Sequence, residues 1–298
     1  MSVQSSLDQT PYSFFKFVTA AGGVKMLETR TVGYRKASDL NDASELTAAV
    51  THHSRDAMDG AGQSAFDEVD ARWSMQRYDS LAMYRDMIRA HAESHAVLSM
   101  IASLDTCASI SVSDSNPGDP RRDLLMWAYY ADGGRGIALE FNRRISVELP
   151  RAVVYSHERP MLTFEEIEAD PAQPFLHKSA AWSHEREWRL VKPITPQMTP
   201  IQGLETTYAD LFDANALRSV TLGCRVSEQT KAQVHGLIAR CFPGTPLFVA
   251  SLRNDVYALD FHAEYPDLDV DGNPYAGWTN SPEFGPDVIT IQNRPPDD

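Results

Sequence analysis

Apolar and polar positions change their spacing along this chain, and the change predicts a helical segment set among strands. The segments SFFKFV (13–18) and TVGYR (31–35) predict two strands, with a short helix over 24–29 between them. Between 65 and 103, apolar residues recur at mostly helical spacing without a proline. This stretch is therefore expected to form one long helix, or two joined helices, packed on a core.

The remainder of the chain has mostly strand periodicity, with short helices between the strands. Further strands are predicted at 106–112, 136–142, 152–156, 185–191, 219–223, 246–251 and 256–261, and helices at 122–130 and 227–241. No repeat of fixed length runs through them. The pattern predicts an α+β fold with a central mixed sheet flanked by helices.

Composition is that of an ordinary globular protein, because 43% of the 298 residues are hydrophobic and 23% are charged. No apolar run approaches the roughly 18 residues that span a bilayer, and residues 1–12 lack the features of a secretory signal. We therefore expect a cytoplasmic protein without a membrane partner. Cys107, Cys224 and Cys241 are too scattered for a disulfide framework or for paired zinc ligands. We therefore expect these three cysteines to be small, buried hydrophobic residues.

Acidic residues are concentrated in two parts of the chain. The net charge is −14, which argues against a protein that simply coats nucleic acid. Residues 37–70 hold eight acidic residues against one basic residue, and residues 253–298 hold ten against two, so the rest is close to neutral. The overall negative charge therefore does not exclude a locally basic cleft formed by the rest of the chain. We expect an extension at 1–12, one domain at 13–261 and an acidic, proline-rich tail at 262–298.

A Glu-x-Glu motif flanked by tryptophans is the most informative stretch. In a strand, Glu185, Glu187 and Arg189 share one face, and two carboxylates at this spacing lie roughly 7 Å apart. Such a pair can divide the work, one orienting an acceptor and the other stabilising positive charge at a sugar carbon. The alternative is an exposed strand edge with cross-strand ion pairs. Trp182 and Trp188 favour a cleft over an open face.

The helix-turn-strand segment at 125–141 contains Gly-Gly-x-Gly. These glycines precede a strand, whereas a dinucleotide fingerprint follows a strand and opens a helix, so the segment does not match that fingerprint. Tyr130, close to the turn, has two interpretations. Its ring can stack on a planar ligand, or it can pack in the core as aromatic residues at helical spacing usually do.

Metal-like signals are weak along the whole sequence. His91 and His95 have helical i, i+4 spacing, but no pattern of further ligands completes a site. The segment 267–272 imitates the first half of a calcium loop, yet Trp278 stands where the bidentate Glu belongs. No metal cofactor is therefore predicted.

Four motifs in order resemble the bacterial domain-of-unknown-function family 2971. They are an aromatic-Lys-aromatic strand, an Asn-Asp turn, a Met-Trp-x-x-Tyr-Ala helix and a Lys-x-x-x-Trp-x-x-Glu-x-Glu-Trp-Arg segment. Here they are Phe15-Lys16-Phe17, Asn41-Asp42, Met126-Trp127 with Tyr130-Ala131, and Lys178 with Trp182, Glu185, Glu187, Trp188 and Arg189. The resemblance covers about 13–261, departs from the family's Asn-Asp-Pro at Ala43, and supplies no reaction.

The arrangement is also similar, more distantly, to NAD-dependent ADP-ribosyltransferases, which implies a split central sheet and a set of roles. In that superfamily an early strand holds the cofactor through His or Arg, a middle element gives Tyr or Ser, and a late strand gives the catalytic Glu. By position these roles fall to Lys16, to Tyr130 with Ser111, and to Glu187 with Glu185 before it. Lys16 departs from the pattern, since it lacks the planar bidentate fork of arginine.

The resemblance implies that NAD is a substrate and that Glu187 and Glu185 are the catalytic residues. It implies further contacts to NAD from Trp182 and from Arg186 or Arg189, and it needs the strands of Lys16 and Glu187 to be neighbours around one cleft. The acceptor is expected to be a macromolecule, either nucleic acid or protein. The protein would then be a bacterial effector, a toxin or a phage-defence component.

Two other classes of function stay open on the sequence. The same Glu, Arg and Trp side chains could form the recognition cleft of a non-catalytic nucleotide or nucleic-acid binding module. A metal-dependent nuclease using Asp42, Glu185 and Glu187 is the third class, although no metal-ligand spacing supports it. Consumption of NAD separates the first class from the second, and inhibition by a chelator singles out the third.

Overall fold

The structure is a computed structural model. It describes residues 11–40, 49–50, 89–103, 118–158, 160–162, 164–196, 198–201, 204–264, 278–280 and 289–291. Ser111, Asn41 and Asp42, together with the predicted strand at 106–112 and the predicted helical positions at 65–88, lie outside these ranges. The described residues form a mixed α/β fold with a large mixed sheet and several helices, which confirms the predicted mixture of helices and strands.

The strands are numbered in chain order. They are β1 (Ser13–Val18), β2 (Thr31–Lys36), β3 (Ala49–Val50), β4 (His95–Ser103), β5 (Ile137–Phe141), β6 (Arg151–Ala152), β7 (Val154–Ser156), β8 (Met161–Leu162), β9 (His177–Ser179), β10 (Glu187–Pro193), β11 (Thr199–Ile201), β12 (Leu204–Leu211), β13 (Leu217–Leu222), β14 (Leu247–Leu252), β15 (Leu259–Glu264), β16 (Trp278–Asn280) and β17 (Ile289–Ile291). Most of the predicted strands that fall on described residues are found within a few positions of the expected bounds.

The α-helices begin at polar capping residues where the sequence offers them. They are α1 (Ala20–Thr29), α2 (Leu124–Tyr130), α3 (Phe164–Ala169) and α4 (Glu228–Cys241). The side chains of Thr19, Asp123 and Ser227 accept hydrogen bonds from backbone N–H groups of the first turns of α1, α2 and α4. These caps fix where the predicted helices at 122–130 and 227–241 start. None of the helices in the described ranges is long and apolar enough to cross a membrane.

The chain divides into two compact units, each built from separate stretches of sequence. Unit 1 comprises Met1–Val32, Ser99–Pro150 and Asp210–Asp298, and unit 2 comprises Gly33–Leu98 and Arg151–Ala209. The domain bounds expected from the sequence stay a prediction.

Unit 1 contains a mixed sheet in the order β4-β1-β5-β13-β14-β15. Neighbouring strands are antiparallel except β13 and β14, which run parallel and are joined through α4. One face of this sheet packs on α2, where Phe17 and Trp127 meet edge to face with ring centroids 5.1 Å apart. The motif residues Met126, Trp127 and Phe15 are therefore part of the core of unit 1.

Unit 2 contains shorter strands and several turns. β10 pairs antiparallel with β6, and β7 pairs parallel with β9, so that Tyr155 lies opposite Lys178. A small apolar cluster of Ala37, Ala92, Val97 and Phe175 forms a core in this unit. A 3-10 helix at Gln173–Leu176 directly precedes β9 and buries Phe175. The Phe175 carbonyl accepts a hydrogen bond from Arg189 of β10.

The segment 95–103 corrects one prediction, because it is the strand β4 and not the end of a helix. Its side chains are buried from Ala96 to Leu98 and from Met100 to Ser103. A strand buried on both faces gives a nearly continuous apolar run, and such a run lacks the alternation that separates strands from helices. The helical conformation is present only at 89–94 within the described part of the predicted helix.

The cysteine prediction is also wrong in part. Cys224 is half-buried and packs against the core of unit 1, but Cys241, at the end of α4, is exposed. Cys107 lies outside the described residues. In the predicted tail, β15 extends to Glu264, and the short strands β16 and β17 pair with each other.

Candidate functional site

A sharp turn places the two glutamates of the Glu-x-Glu motif. Ala180–Glu185 is a 3-10 helix that ends at Arg186, whose φ of 47° is in the left-handed region. The backbone N–H of Arg186 donates to the Ser183 carbonyl, and β10 begins directly afterwards at Glu187. Glu185 therefore does not share a strand with Glu187, so the predicted alternation along one strand does not bring them together.

Lys178 brings the two carboxylates together. Its ammonium nitrogen lies 2.6 Å from Oε2 of Glu185 and 3.2 Å from Oε2 of Glu187. The lysine is on β9, which is held in register by its parallel pairing with β7. Both carboxylates thus converge on one cation, which the strand interpretation alone did not predict.

Arg189 fixes the orientation of Glu187 from the other side. Its Nε lies 2.7 Å from Oε1 of Glu187, and its Nη2 lies 2.9 Å from Oε2, so the pair is bidentate. The remaining nitrogen, Nη1, donates to the Phe175 carbonyl at 2.6 Å. A guanidinium held at three nitrogen atoms is an immobile support, so Arg189 determines where the Glu187 carboxylate points.

Tyr155 supports the backbone of the same residue. Its hydroxyl oxygen, on β7, accepts a hydrogen bond from the Glu187 N–H at 2.8 Å. Burial raises the pKa of the Tyr155 hydroxyl above its usual range, and the neighbouring carboxylates act in the same direction. The phenol is therefore neutral at physiological pH and adds no charge to the cluster.

Two cations and two carboxylates share this buried position. No more than 6% of the Lys178, Glu185, Glu187 or Arg189 side chain is exposed. Buried charges of this kind are stable when they are paired and hydrogen-bonded, because their attraction then offsets the loss of hydration. The cluster is consequently a preorganised arrangement of charge, in which Glu187 is the most constrained carboxylate.

Aromatic side chains border the cluster. The ammonium of Lys178 lies 5.0 Å from the ring centroid of Trp182, within the range of a cation–π contact. Trp182 is half-buried, and its ring lies 6.1 Å from that of His184. Trp188, the second tryptophan of the motif, is also half-buried. The Lys178 contact places the Trp182 indole at the cluster. Trp188 alternates to the other face of β10 from Glu187 and Arg189, so its predicted place beside the site stays a prediction.

Three other predicted site residues, Lys16, Tyr130 and Arg186, are described within their own units. In unit 1, Lys16 on β1 donates to the Ser99 carbonyl at 2.7 Å, and Tyr130 at the end of α2 packs against the core. In unit 2, the Arg186 side chain is exposed at the turn between the two glutamates. The predicted contacts of Lys16, Tyr130, Arg186 and Arg189 with NAD stay predictions, as does the role of Ser111, which lies outside the described residues.

Metal-ligand candidates do not gather in the described part of the chain. There, no group of three or more His, Cys, Asp or Glu side chains is arranged to hold an ion. The rings of His91 and His95 lie 4.1 Å apart, and His91 stacks on Phe175 at 5.2 Å. Asp42, which the nuclease alternative requires, lies outside the described residues.

Sequence reasoning missed Tyr155 and assigned no role to Lys178. Lys178 was visible as the first residue of the Lys-x-x-x-Trp segment, and its spacing from the glutamates was a usable signal. Tyr155 had no such signal, because its contact with Glu187 spans 32 positions and depends on the local packing of β7.

No protein-family model matches this chain, and neither a curated protein nor a solved structure matches it. The resemblance drawn from the four motifs therefore stays a prediction. The function has to be argued from the geometry of the charged cluster.

Proposed function

We propose that the protein is an ADP-ribosyltransferase that consumes NAD and modifies a macromolecule. The observation that carries the proposal is the convergence of Glu185 and Glu187 on one cation beside the indole of Trp182. Once the lysine is displaced, two carboxylates face one remaining arginine and can stabilise positive charge, and positive charge is what the cleavage of NAD develops at the sugar carbon. The same place also suits the positively charged nicotinamide ring of NAD.

The proposed reaction is a substitution at the ribose carbon that carries nicotinamide. The bond from this carbon to the ring nitrogen breaks, and its electron pair stays on nicotinamide, which leaves as a neutral molecule. A lone pair of the acceptor forms the new bond to the ribose carbon, and the acceptor releases a proton to the solvent. Water as the acceptor gives free ADP-ribose instead.

The residues have different parts in this scheme. Glu187 binds the ribose hydroxyl and stabilises the developing charge, with its carboxylate aimed by Arg189 and its backbone held by Tyr155. Glu185 orients the acceptor. Arg186, exposed at the turn, is the candidate for the diphosphate. The NAD contacts of Lys16, Tyr130, Trp182 and Ser111 that the resemblance implies stay predictions and are not part of this scheme.

Nicotinamide release from NAD tests the proposal. Purified protein is incubated with NAD carrying a label on its ADP-ribose portion, with and without a bacterial lysate, and nicotinamide and labelled macromolecules are measured. We expect nicotinamide release together with transfer of label to nucleic acid or protein. If neither occurs under any of these conditions, the transferase proposal is overturned.

The variant Glu187→Gln makes the test specific. It keeps the size of the side chain and removes the charge, so nicotinamide release should fall by about 100-fold or more. Glu93→Gln is the matched control, because Glu93 is also paired with a lysine, Lys36, but is half-exposed and outside the cluster. Equal activity of the two variants would contradict the role of Glu187. Glu185→Gln should reduce labelling of the acceptor more than nicotinamide release.

A second candidate is a nucleotide-binding module that does not turn NAD over. The observation that favours it is the near-complete burial of four charges that balance one another, which is also what a purely structural ion-pair network requires. In this case isothermal calorimetry would detect nucleotide binding while nicotinamide release stays at the uncatalysed rate. Glu187→Gln would then lower the melting temperature without a selective loss of activity.

A further inference from the structure

Lys178 is the cation of the charged cluster that contacts both carboxylates through a single nitrogen atom. Arg189 is held at three nitrogen atoms by Glu187 and a backbone carbonyl, whereas the Lys178 ammonium is a point charge on a flexible four-carbon stem. The two contacts of Arg189 with Glu187 do not involve the lysine, so Glu187 keeps its position if a ligand displaces the Lys178 ammonium.

The surroundings of this ammonium are those of a cation-binding site. Two carboxylate oxygens lie within 3.2 Å of the nitrogen, and an aromatic face lies 5.0 Å from it. Carboxylates and an indole face are the groups that recognise cationic ligands, including ring and quaternary ammonium cations. The same groups would attract any cation that reached them.

We infer that Glu185, Glu187 and Trp182 form a cation subsite that Lys178 occupies in the free protein and that the positively charged nicotinamide ring of the substrate takes over. This inference rests on the proposed function for its substrate. Lys178 is then a specificity-determining residue, because a ligand must displace a tethered competitor of high effective concentration. Together with Arg189, it also neutralises the two carboxylates until a cationic ligand arrives.

The test compares a charged and a neutral form of one small ring. The probes are 1-methylnicotinamide, which carries a positive charge, and nicotinamide, which does not. Lys178→Met removes the ammonium and keeps the stem length, so 1-methylnicotinamide should bind at least about 10-fold more tightly than to the natural protein. The affinity for nicotinamide should change less than about twofold, and Lys178→Arg should behave as the natural protein.

An equal change for both probes, or none, overturns the inference. If Lys178→Met does not fold, Lys178→Gln replaces it, because its amide can donate to one carboxylate, and the same charge-selective gain is expected. Trp182→Leu in the Lys178→Gln background should then abolish most of that gain, and retention of the full gain would also overturn the inference.

The outcome separates this inference from the proposed function. Selective binding of 1-methylnicotinamide by a Lys178 variant, with no NAD cleavage by the natural protein, supports the subsite and overturns the transferase. NAD cleavage by the natural protein without a charge-selective change in the variant overturns the subsite alone.

Discussion

Burial, more than pairing geometry, decides what an arginine–carboxylate pair contributes in this protein. Arg189 binds Glu187 through two nitrogen atoms, and Arg151 binds Asp170 in the same bidentate manner, with both contacts at 2.7 Å. The first pair is almost completely buried, whereas 44% of the Arg151 side chain and 37% of the Asp170 side chain are exposed. Water therefore weakens the attraction between Arg151 and Asp170 and can solvate either group if the other is removed. It cannot do this for the buried pair of Arg189 and Glu187.

The difference gives a matched pair of substitutions. Arg189→Met leaves two buried carboxylates, Glu185 and Glu187, with Lys178 as their shared cation, so one buried negative charge is uncompensated and the free energy of unfolding should fall by about 3–5 kcal/mol. Arg151→Met removes the same guanidinium group from a solvated pair, so the free energy of unfolding should fall by no more than about 1 kcal/mol. Urea denaturation of the two variants and the natural protein measures both values. Equal effects would mean that burial does not set the strength of these pairs.

The identity of several site residues could be predicted at this scale, but their convergence could not. The spacing of Glu185, Glu187 and Trp182 indicated a charged site with an aromatic border. The turn that joins the two glutamates depends on a left-handed arginine, Arg186, and no glycine marks it in the sequence. The placement of Lys178 depends on the pairing of β9 with β7, and register between distant strands is a long-range property.

At the scale of elements, the Gly-Gly-x-Gly segment forms a crowded junction. Gly133 and Gly134 have φ values of 60° and 84°, which glycine adopts without strain. A Cβ atom on Gly136 would lie 2.1 Å from the Val18 carbonyl oxygen and 2.8 Å from Cα of Ala131. The sequence predicted the turn correctly, but the close approach of two backbones at Gly136 depends on the packing of β1 beside β5.

Gly136→Ala should therefore be strongly destabilising. The added methyl group meets backbone atoms that cannot move without shifting the sheet, so we expect a loss of about 3 kcal/mol or more in the free energy of unfolding. Gly236→Ala in α4 is the control, because there the nearest atom is the flexible end of Arg240 at 3.1 Å. It should be neutral or stabilising by up to about 1 kcal/mol. Thermal denaturation of both variants tests this, and a neutral Gly136→Ala would contradict the packing argument.

The segment β4 shows which elements the pattern of apolar residues could not identify. Strands interrupted by polar or half-buried positions, such as β1 and β10, were predicted within two residues of their observed start. β4 is buried along almost all of its length, and its apolar residues fit a helical template as well as a strand. Its neighbours on both sides, which only the folded chain supplies, decide its conformation.

At the scale of the molecule, both units bury ionised groups. In unit 1, Asp119 and Arg121 pair at 2.7 Å beneath three phenylalanine rings, and Glu140 accepts a hydrogen bond from Ser219 at 2.6 Å. In unit 2 the buried charges are those around Lys178. The net charge of −14 therefore says little about the interior, because buried charges of opposite sign are matched within each unit. Composition alone could not have indicated this, since it does not show which charges are paired.

Stability should depend on pH through two sets of groups that act in the same direction over different pH ranges. Burial lowers the pKa of His95 and of His177, both in unit 2. Paired carboxylates have lowered pKa values as well, that of Asp170 through Arg151, and that of Glu264, against its own burial, through Lys231 and His235. In each case the unfolded chain takes up protons at a higher pH than the folded chain does.

The histidines should act first as the pH falls. Their neutral form is favoured in the folded state, so their contribution is present above the ordinary pKa of about 6.5 and is lost as the pH drops below it. The carboxylates contribute above about pH 4 and lose this contribution at lower pH, as they are protonated. The free energy of unfolding, measured by urea denaturation from pH 8 to about pH 2, should therefore decline in two steps. His95→Phe should reduce the first step and leave the second, and an unchanged profile in this variant would contradict the assignment to His95.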